Sequence, residues 1–214
     1  RLGRDRPPPA QAHCLRTGAA MKPWILALML LSLAPPASAA ETGTLSATVT
    51  APIAKHRAGA VVFVKAGPAA AVAAKTVQLD QKGMVFLPRI LPIAKGWTIE
   101  FLNSDPVAHN VYTIDGEKYD LGTWPQGQKK KYTFTRSGVY RQLCKVHDDM
   151  IAYVVVLDTP WFAVSDKEGK LSLSGLAPGA YTFGVWHEKL GAVDFAVQIA
   201  AGAPATAAIA LRAK

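Results

Sequence analysis

The pattern of hydrophobic and polar positions along the chain is that of β-strands. After residue 41, apolar, β-branched and aromatic residues occur in short runs that Gly, Pro, Asp and Asn separate. The alternation in YTF at 132–134 and KLSL at 170–173 places one face of a strand in a core and the other in water. Short strands with turn signals between them, repeating at roughly ten residues, are typical of β-sandwiches and small barrels. The pattern therefore predicts an all-β fold.

Twelve segments have this strand character. In chain order they are GTLSATVT, AVVFVKAG, TVQLDQKGMVFLP, WTIEFLNSD, HNVYTI, KKKYTFTRSG, VYRQLC, IAYVVVLD, KLSLSG, AYTFGVW, DFAVQIA and TAAIALRA. IAYVVVLD is apolar almost throughout, which predicts a strand covered on both faces. The Ala-rich stretch at 66–76 could be a loop or a short helix.

The segment from Met21 has the three parts of a secretory signal peptide. A short basic start is followed by an apolar run at 24–34 and by small residues around Ala39. The run is too short to span a bilayer comfortably. We predict a signal peptide at 21–39, cleavage near Ala39–Ala40, a periplasmic location, and no membrane span in the mature chain.

Residues 1–20 are rich in Arg, Pro and Ala and precede the signal segment. They are interpreted as upstream sequence joined to the protein by a wrong start assignment. The alternative is a genuine disordered tail in front of an internal membrane anchor.

The charge and the cysteine content change once residues 1–40 are removed. These residues carry five basic side chains and one acidic one, so the net charge falls from +9 to +5. The longest basic block that remains is Lys129–Lys131, and nucleic acid is not indicated as a partner. Cys14 leaves with the segment. Cys144 is then a single cysteine in an exported protein, so it is a buried spectator, a reactive thiol or a metal ligand.

The stretch CKVHDDM contains three side chains of metal-ligand type, with two residues between each pair. These are Cys144, His147 and Met150, and His109 in the upstream stretch NSDPVAHNV is the obvious fourth group. Structural zinc does not favour a thioether, whereas two His, one Cys and a weak axial Met form a blue-copper centre. The alternative is that Cys144 and Met150 fill a core and His147 is a turn residue.

Two stretches, MVFLPRILPIAKGWTIEFLNSDPVAHNVYT and GVYRQLCKVHDDMIAYVVVLD, resemble the cupredoxin family. The Cys-x-x-His-x-x-Met loop is similar to that of amicyanin and related to that of plastocyanin. The mature chain as a whole resembles periplasmic cupredoxin-like proteins labelled as methylamine utilisation proteins, which add a carboxypeptidase-regulatory-like β-sandwich. The resemblance implies a cupredoxin Greek-key β-sandwich and a second, transthyretin-type sandwich.

The resemblance also implies one type 1 copper per chain. His109 and His147 would supply the imidazoles, Cys144 the thiolate and Met150 the axial thioether. Asn110 would form the hydrogen bonds that connect the two ligand loops.

The ligand loop departs from the amicyanin pattern at two positions. Amicyanin-like loops often have Pro beside the second His, whereas Asp148 and Asp149 follow His147 here. Two carboxylates beside the copper should favour Cu(II) and lower the reduction potential, and a loop without Pro is less rigid.

The second sandwich is predicted to be split along the chain. The segment after Pro160 resembles the later part of a carboxypeptidase-regulatory-like domain, and the segment near the N-terminus resembles its opening strands. We predict that residues 43–66 with 160–213 form this domain and that a cupredoxin domain at 76–158 is inserted into it. The alternative is that the N-terminal strands simply extend the cupredoxin.

Two further histidines are poor metal candidates. His187 has only Glu188 as a possible second ligand nearby, which favours a hydrogen-bonded or interface histidine. His56 is interpreted as a solvated turn residue. The basic block Lys129–Lys131 is better explained as an edge strand protected by lysine than as a docking site for an acidic partner.

The function predicted from the sequence is that of a periplasmic type 1 (blue) copper protein that carries single electrons to or from an unidentified redox partner protein. One alternative is a copper-binding or delivery module without a main redox role, and another is a structural β-sandwich binding protein. An enzyme is not expected, because the sequence has no His-x-His pair for a further copper cluster, no paired catalytic carboxylates and no nucleophile–base pattern.

Overall fold

The structure, a computed structural model, describes residues 41–214, which form sixteen β-strands and one turn of 3₁₀ helix at Ala54–Arg57. The strands are β1 (Gly43–Thr50), β2 (Val61–Ala66), β3 (Thr76–Gln81), β4 (Phe86–Leu87), β5 (Ile90–Ala94), β6 (Thr98–Leu102), β7 (His109–Thr113), β8 (Tyr119–Trp124), β9 (Lys129–Thr133), β10 (Gly138–Leu143), β11 (Ile151–Leu157), β12 (Phe162–Val164), β13 (Lys170–Leu176), β14 (Gly179–Trp186), β15 (Phe195–Ile199) and β16 (Pro204–Ala210). The predicted all-β fold class is confirmed.

The predicted upstream sequence at 1–20 and the predicted signal peptide at 21–39 lie outside the described residues. Within residues 41–214, no helix has the length and apolar character that crossing a membrane would require.

Strands β3 to β11 form two sheets, and together they are named the central sandwich (residues 76–157). One sheet has the strand order β4-β3-β6-β9 and the other has the order β5-β11-β10-β7-β8. Alternate side chains of both sheets meet in one core, because successive residues of a strand point to opposite faces. Its buried members are Leu79, Phe86, Ile93, Ile99, Phe101, Val111, Trp124, Phe134, Tyr140, Cys144, Met150, Ala152, Val154 and Val156.

Two strands of the central sandwich, β5 and β8, are missing from the sequence prediction, and both lie at sheet edges. β5 contains Pro92, which is tolerated because an edge strand has one side free of ladder hydrogen bonds. β8 is largely exposed and contains Gly122 at φ 75°, so its alternation is weak. The Ala-rich stretch, for which a loop or a short helix was expected, is a loop from 67 to 75.

The remaining strands form two further sheets, which are named the split sandwich (residues 43–66 and 162–210). Their strand orders are β13-β1-β16 and β12-β2-β14-β15. β1 pairs antiparallel with β13 and parallel with β16, and β2 pairs with β12 and β14. This is the pairing that insertion of one domain into another would produce. The domain division itself stays a prediction.

Strand β11 connects the two sandwiches through its two faces. Val154 and Val156 point into the core of the central sandwich. Val155 and Leu157 point the other way and pack with Val61 of β2 in a separate buried cluster, named the junction. The apolar character of β11 is therefore explained, since the strand is covered on both sides as predicted.

Candidate metal centre

The predicted ligand loop connects strands β10 and β11. Cys144 follows β10 directly and Met150 precedes β11 directly, and pairing of Leu143 with Ile151 holds the two ends of the loop together. β7, which begins at His109, is the neighbour of β10 on its other side. Strand pairing therefore brings the loop and His109 to one end of the central sandwich.

The thiol of Cys144 and the imidazoles of His109 and His147 converge on one point. Their ligand atoms all lie within 4.8 Å of one another. Nδ1 of His109 lies 4.0 Å from Sγ of Cys144 and 3.1 Å from Nδ1 of His147. His109 and Cys144 are buried, whereas His147 is half-buried. Two imidazole nitrogens and a thiol that meet in this way fit copper or zinc.

Met150 lies in the core of the central sandwich, in the cluster that contains Cys144, and is 1% exposed. Its backbone N–H donates to the carbonyl of His147 at 3.1 Å, which closes the turn at the end of the loop. A buried thioether in the same core cluster as Cys144 favours copper over zinc. The assignment of His109, Cys144, His147 and Met150 as one ligand set stays a prediction.

Asn110 is buried and joins the two segments that carry the predicted ligands. Its backbone N–H points at Sγ of Cys144 at 3.5 Å, and its Oδ1 accepts a hydrogen bond from the backbone N–H of Lys145 at 3.3 Å. Its Nδ2 donates to Oδ1 of Asp120 at 2.7 Å and to the carbonyl of Gly122 at 2.9 Å. These bonds connect β7, β8 and the ligand loop.

An ion pair extends this network. Lys145, directly after the cysteine, forms a salt bridge with Asp120. This lysine, then the amide of Gly122 and the side chain of Asn110, lower the pKa of Asp120 to about 2. Asp120 in turn raises the pKa of Lys145. The start of the ligand loop is therefore held by charge as well as by hydrogen bonds.

Asp105 is a member of the site that the sequence analysis missed. Its Oδ2 lies 2.8 Å from Nε2 of His109, and its two oxygens accept the backbone N–H groups of Gly83 and Met84. Burial raises the pKa of Asp105, but the bonds from Met84, Gly83 and His109 outweigh it, so the pKa is lowered. The sequence did contain a signal, an acidic residue four positions before His109 in a Pro-containing turn. A histidine that binds a metal through one nitrogen requires a hydrogen-bond partner for the other, and a nearby carboxylate can be that partner.

Asp148 and Asp149, the departure from the amicyanin pattern, are both exposed. Water and salt screen exposed charges, so their effect on a bound metal is weaker than that of a buried carboxylate at hydrogen-bond distance. Asp105 is therefore the carboxylate in closest contact with a candidate ligand.

The other histidine and lysine candidates have local partners. His187 is buried, its Nε2 lies 3.3 Å from the carbonyl of Ala58, and its Nδ1 accepts the N–H groups of residues 189 and 190. It is thus a hydrogen-bonded histidine. Lys129 and Lys131 lie on the edge strand β9 and both form salt bridges with Glu100. In the part of the chain that the structure describes, the one group with the spacing of a metal site is His109, Cys144 and His147.

A sequence model described as "Copper binding proteins, plastocyanin/azurin family" matches residues 73–157. This range covers the central sandwich and all four predicted ligand residues. The comparison with curated proteins returned no match.

Solved structures with similarity to this chain include three copper proteins. A copper-containing nitrite reductase from Thermus scotoductus SA-01 is 27% identical over 39% of this chain, with a TM-score of 0.37, and the chain spans 22% of its length. A reduced Trp-to-Tyr variant of amicyanin is 26% identical over 38% of this chain and 82% of its own, with a TM-score of 0.37. A purple cupredoxin from Nitrosopumilus maritimus is 24% identical over 37% of this chain and 98% of its own, with a TM-score of 0.35.

The family match and the geometry of the site agree on one metal. The match places a copper-binding family on residues 73–157, and the described residues bring a thiol and two imidazoles together inside that range. The methylamine-utilisation subtype stays a prediction. Residues 73–157 of this chain match the plastocyanin/azurin family of copper-binding proteins, a cupredoxin family, and copper is the cofactor of this part of the chain.

Proposed function

We propose that the chain is a periplasmic type 1 (blue) copper protein that carries single electrons. The observation that supports this most directly is the convergence of Cys144, His109 and His147, with ligand atoms within 4.8 Å of one another and Met150 buried in the same core. A bound copper would supply one-electron chemistry between Cu(I) and Cu(II). Cys144, His109 and His147 would hold it, and Met150 would be the fourth and weakest donor.

The residues around the site favour electron transfer because they fix the donors before any metal binds. Asn110 ties β7 to the ligand loop, and Asp105 holds the outer nitrogen of His109. A site whose ligands are already in position needs little rearrangement when the charge of the metal changes. His147, which is half-buried, is the most exposed of the four predicted ligand residues.

The partner is proposed to be a redox protein of the periplasm that docks over His147. Val146, next to His147, is 49% exposed, and Met84, whose amide binds Asp105, is 57% exposed. Exposed apolar side chains next to a redox site suit a short-lived complex that excludes water between the two centres. Asp148 and Asp149 add two negative charges to this surface and would favour a partner with a basic face.

Electron transfer without substrate turnover is proposed. In residues 41–214, one cluster has the spacing of a metal site, and its residues are those assigned to the copper. The periplasmic location rests on the signal-peptide pattern at 21–39 and on the single cysteine that remains after it.

We further propose that the central sandwich is a cupredoxin domain at 76–158 inserted into a carboxypeptidase-regulatory-like domain formed by 43–66 and 160–213. The pairing of β1 with β13 and β16 supports this, as do the separate cores of the two sandwiches. The junction around Val155 and a salt bridge between Arg89 and Glu188 would fix the inserted domain on its host. The same arrangement, a cupredoxin domain inserted into a second β-sandwich, is the basis on which we propose the methylamine-utilisation subtype.

The main competing function is copper delivery, and one experiment separates it from electron transfer. The purified protein is loaded with Cu(II), reduced in the presence of an excess of a Cu(I) chelator, and cycled by voltammetry. A carrier keeps its copper and shows a reversible one-electron wave, whereas a delivery module transfers copper to the chelator on reduction. Cys144→Ser is the matched control, because it removes the thiolate and changes little else in volume. Loss of copper from the wild type as fast as from this variant would overturn the proposal.

A further inference from the structure

The carboxylate of Asp105 is the point where three hydrogen-bond donors from two segments meet. Its Oδ1 accepts the N–H of Gly83 at 2.6 Å, and its Oδ2 accepts the N–H of Met84 at 2.9 Å. The same Oδ2 lies 2.8 Å from Nε2 of His109. Asp105 is 7% exposed and His109 is fully buried, so water competes little for these bonds.

The carboxylate is itself fixed by its own backbone. The N–H of Asp105 donates to Oδ1 of Asn103 at 2.9 Å. The Nδ2 of Asn103 donates to the carbonyl of Val107 at 2.8 Å and to that of Trp124 at 3.0 Å. The turn that carries Asp105 is therefore anchored to β8, which also holds the Asn110 network.

This geometry selects one tautomer of His109. An ionised carboxylate accepts hydrogen bonds and has none to donate, so the proton of the imidazole must lie on Nε2. Nδ1 then carries a lone pair, and it faces Sγ of Cys144 and Nδ1 of His147. Before a metal binds, the Nδ1–H of His147 then donates a hydrogen bond to Nδ1 of His109 across the 3.1 Å contact.

The two imidazoles are thus held differently. His147 is half-buried, and within residues 41–214 its imidazole makes one hydrogen-bond contact, with His109. His109 is buried and bound to a carboxylate on its outer nitrogen. A carboxylate in this position makes the imidazole a more electron-rich ligand.

We propose that Asp105 is a positioning residue that locks the Nε2–H tautomer of His109 and thereby stabilises Cu(II) and lowers the reduction potential of the site. This inference rests on the proposed blue-copper function for its redox part, whereas the tautomer is a property of the metal-free protein. It also couples the site to the turn at 82–85, where Met84 has φ 58°, because two amides of that turn share the carboxylate with His109.

The test compares Asp105→Asn with Asp80→Asn. Asp80 is a suitable control because both of its oxygens form hydrogen bonds near the same turn. Its Oδ1 accepts the N–H of Gln81 at 2.8 Å, and its Oδ2 accepts the hydroxyl of Ser104 at 2.7 Å. Both variants remove one negative charge, but only Asp105 contacts His109 among these two carboxylates. Asp105→Glu keeps the charge and serves as the conservative variant.

The first readout is the copper site. Loss of a carboxylate partner of a ligating histidine weakens metal affinity by about 10- to 100-fold. We expect Asp105→Asn to weaken the binding of Cu(II) more than the binding of Cu(I). The reduction potential then rises by about 59 mV for each tenfold difference between the two losses of affinity. Asp80→Asn is expected to shift the potential much less, and Asp105→Glu to stay closer to the wild type. Equal shifts in Asp105→Asn and Asp80→Asn, or no shift in either, would overturn the inference.

The second readout needs no copper. Nitrogen-15 NMR of the metal-free protein reports which nitrogen of His109 carries the proton, and the wild type is expected to be in the Nε2–H form. In Asp105→Asn the amide can donate as well as accept, so the Nδ1–H form becomes populated. A wild-type His109 in the Nδ1–H form refutes the inference even if the copper site is blue. Absence of a blue site with the Nε2–H form intact refutes the proposed function instead and leaves the tautomer lock supported.

Discussion

Replacing Asn110 with alanine tests whether the hydrogen bonds around the candidate site hold the two ligand segments together. The side chain is 2% exposed and makes three hydrogen bonds, to Asp120, to the carbonyl of Gly122 and from the N–H of Lys145. Alanine removes all three and leaves two backbone groups without this partner. The expected result is a less stable protein that also holds copper less tightly.

The magnitude follows from the three bonds. A hydrogen bond to a charged group contributes about 2 kcal/mol and a neutral one about 1 kcal/mol. One bond of Asn110 goes to a carboxylate and two go to backbone groups. Asn110→Ala should therefore lower the free energy of unfolding by about 4 kcal/mol. For a chain of this size that corresponds to a fall in melting temperature of about 8 to 16 °C.

The assay is urea unfolding of the metal-free protein, followed by tryptophan fluorescence. Gln126→Ala is the matched control, because Gln126 is an exposed amide with a single bond, to the carbonyl of Ser104 at 3.0 Å. Its loss should change the free energy of unfolding by less than about 0.5 kcal/mol. If Asn110→Ala costs no more than the control, the network does not support the site and the reasoning is wrong.

Three further predictions concern pH, the axial position and the junction. Lys131 and Lys129 hold the pKa of Glu100 at about 2, below the usual 4.5, so its stabilising effect is present above pH 4.5 and is lost as the pH falls towards 2. The difference in unfolding midpoint between wild type and Glu100→Gln should shrink over that window, and a constant difference would contradict the pairing. Met150→Leu keeps the core volume and should leave the unfolding midpoint nearly unchanged while raising the reduction potential in voltammetry, because a donor to Cu(II) is lost. Val155→Ala should cost about 2 kcal/mol in urea unfolding and leave the visible spectrum of the copper-loaded protein unchanged, since Val155 packs in the junction.

The sequence was most informative where ligand chemistry and strand pattern coincide. Cys144, His147 and Met150 lie on one seven-residue stretch, so their proximity follows from chain connectivity. His109 was named as the fourth group because a second imidazole is the donor type that the seven-residue stretch lacks. β11 was predicted as a strand covered on both faces, and the junction explains this coverage.

The parts that were missed depend on tertiary contacts. β5 and β8 are edge strands whose Pro92 and Gly122 mask the strand pattern, and pairing with β11 and β7 defines them. Asp105 is four residues from His109 in the sequence. Its role depends on a tertiary contact, because its carboxylate binds the amides of Gly83 and Met84 as well as the imidazole of His109. Asp148 and Asp149 drew attention in the sequence because of their position, but their exposure limits their influence.

The visible spectrum of the copper-loaded protein tests the central claim most directly. The protein comprising residues 41–214 is purified without metal, titrated with Cu(II) and measured beside Cys144→Ala. A type 1 site predicts an intense thiolate-to-copper charge-transfer band in the visible region that saturates at one copper per chain and is absent from the variant. Colourless binding, or a band that persists without Cys144, would contradict the account.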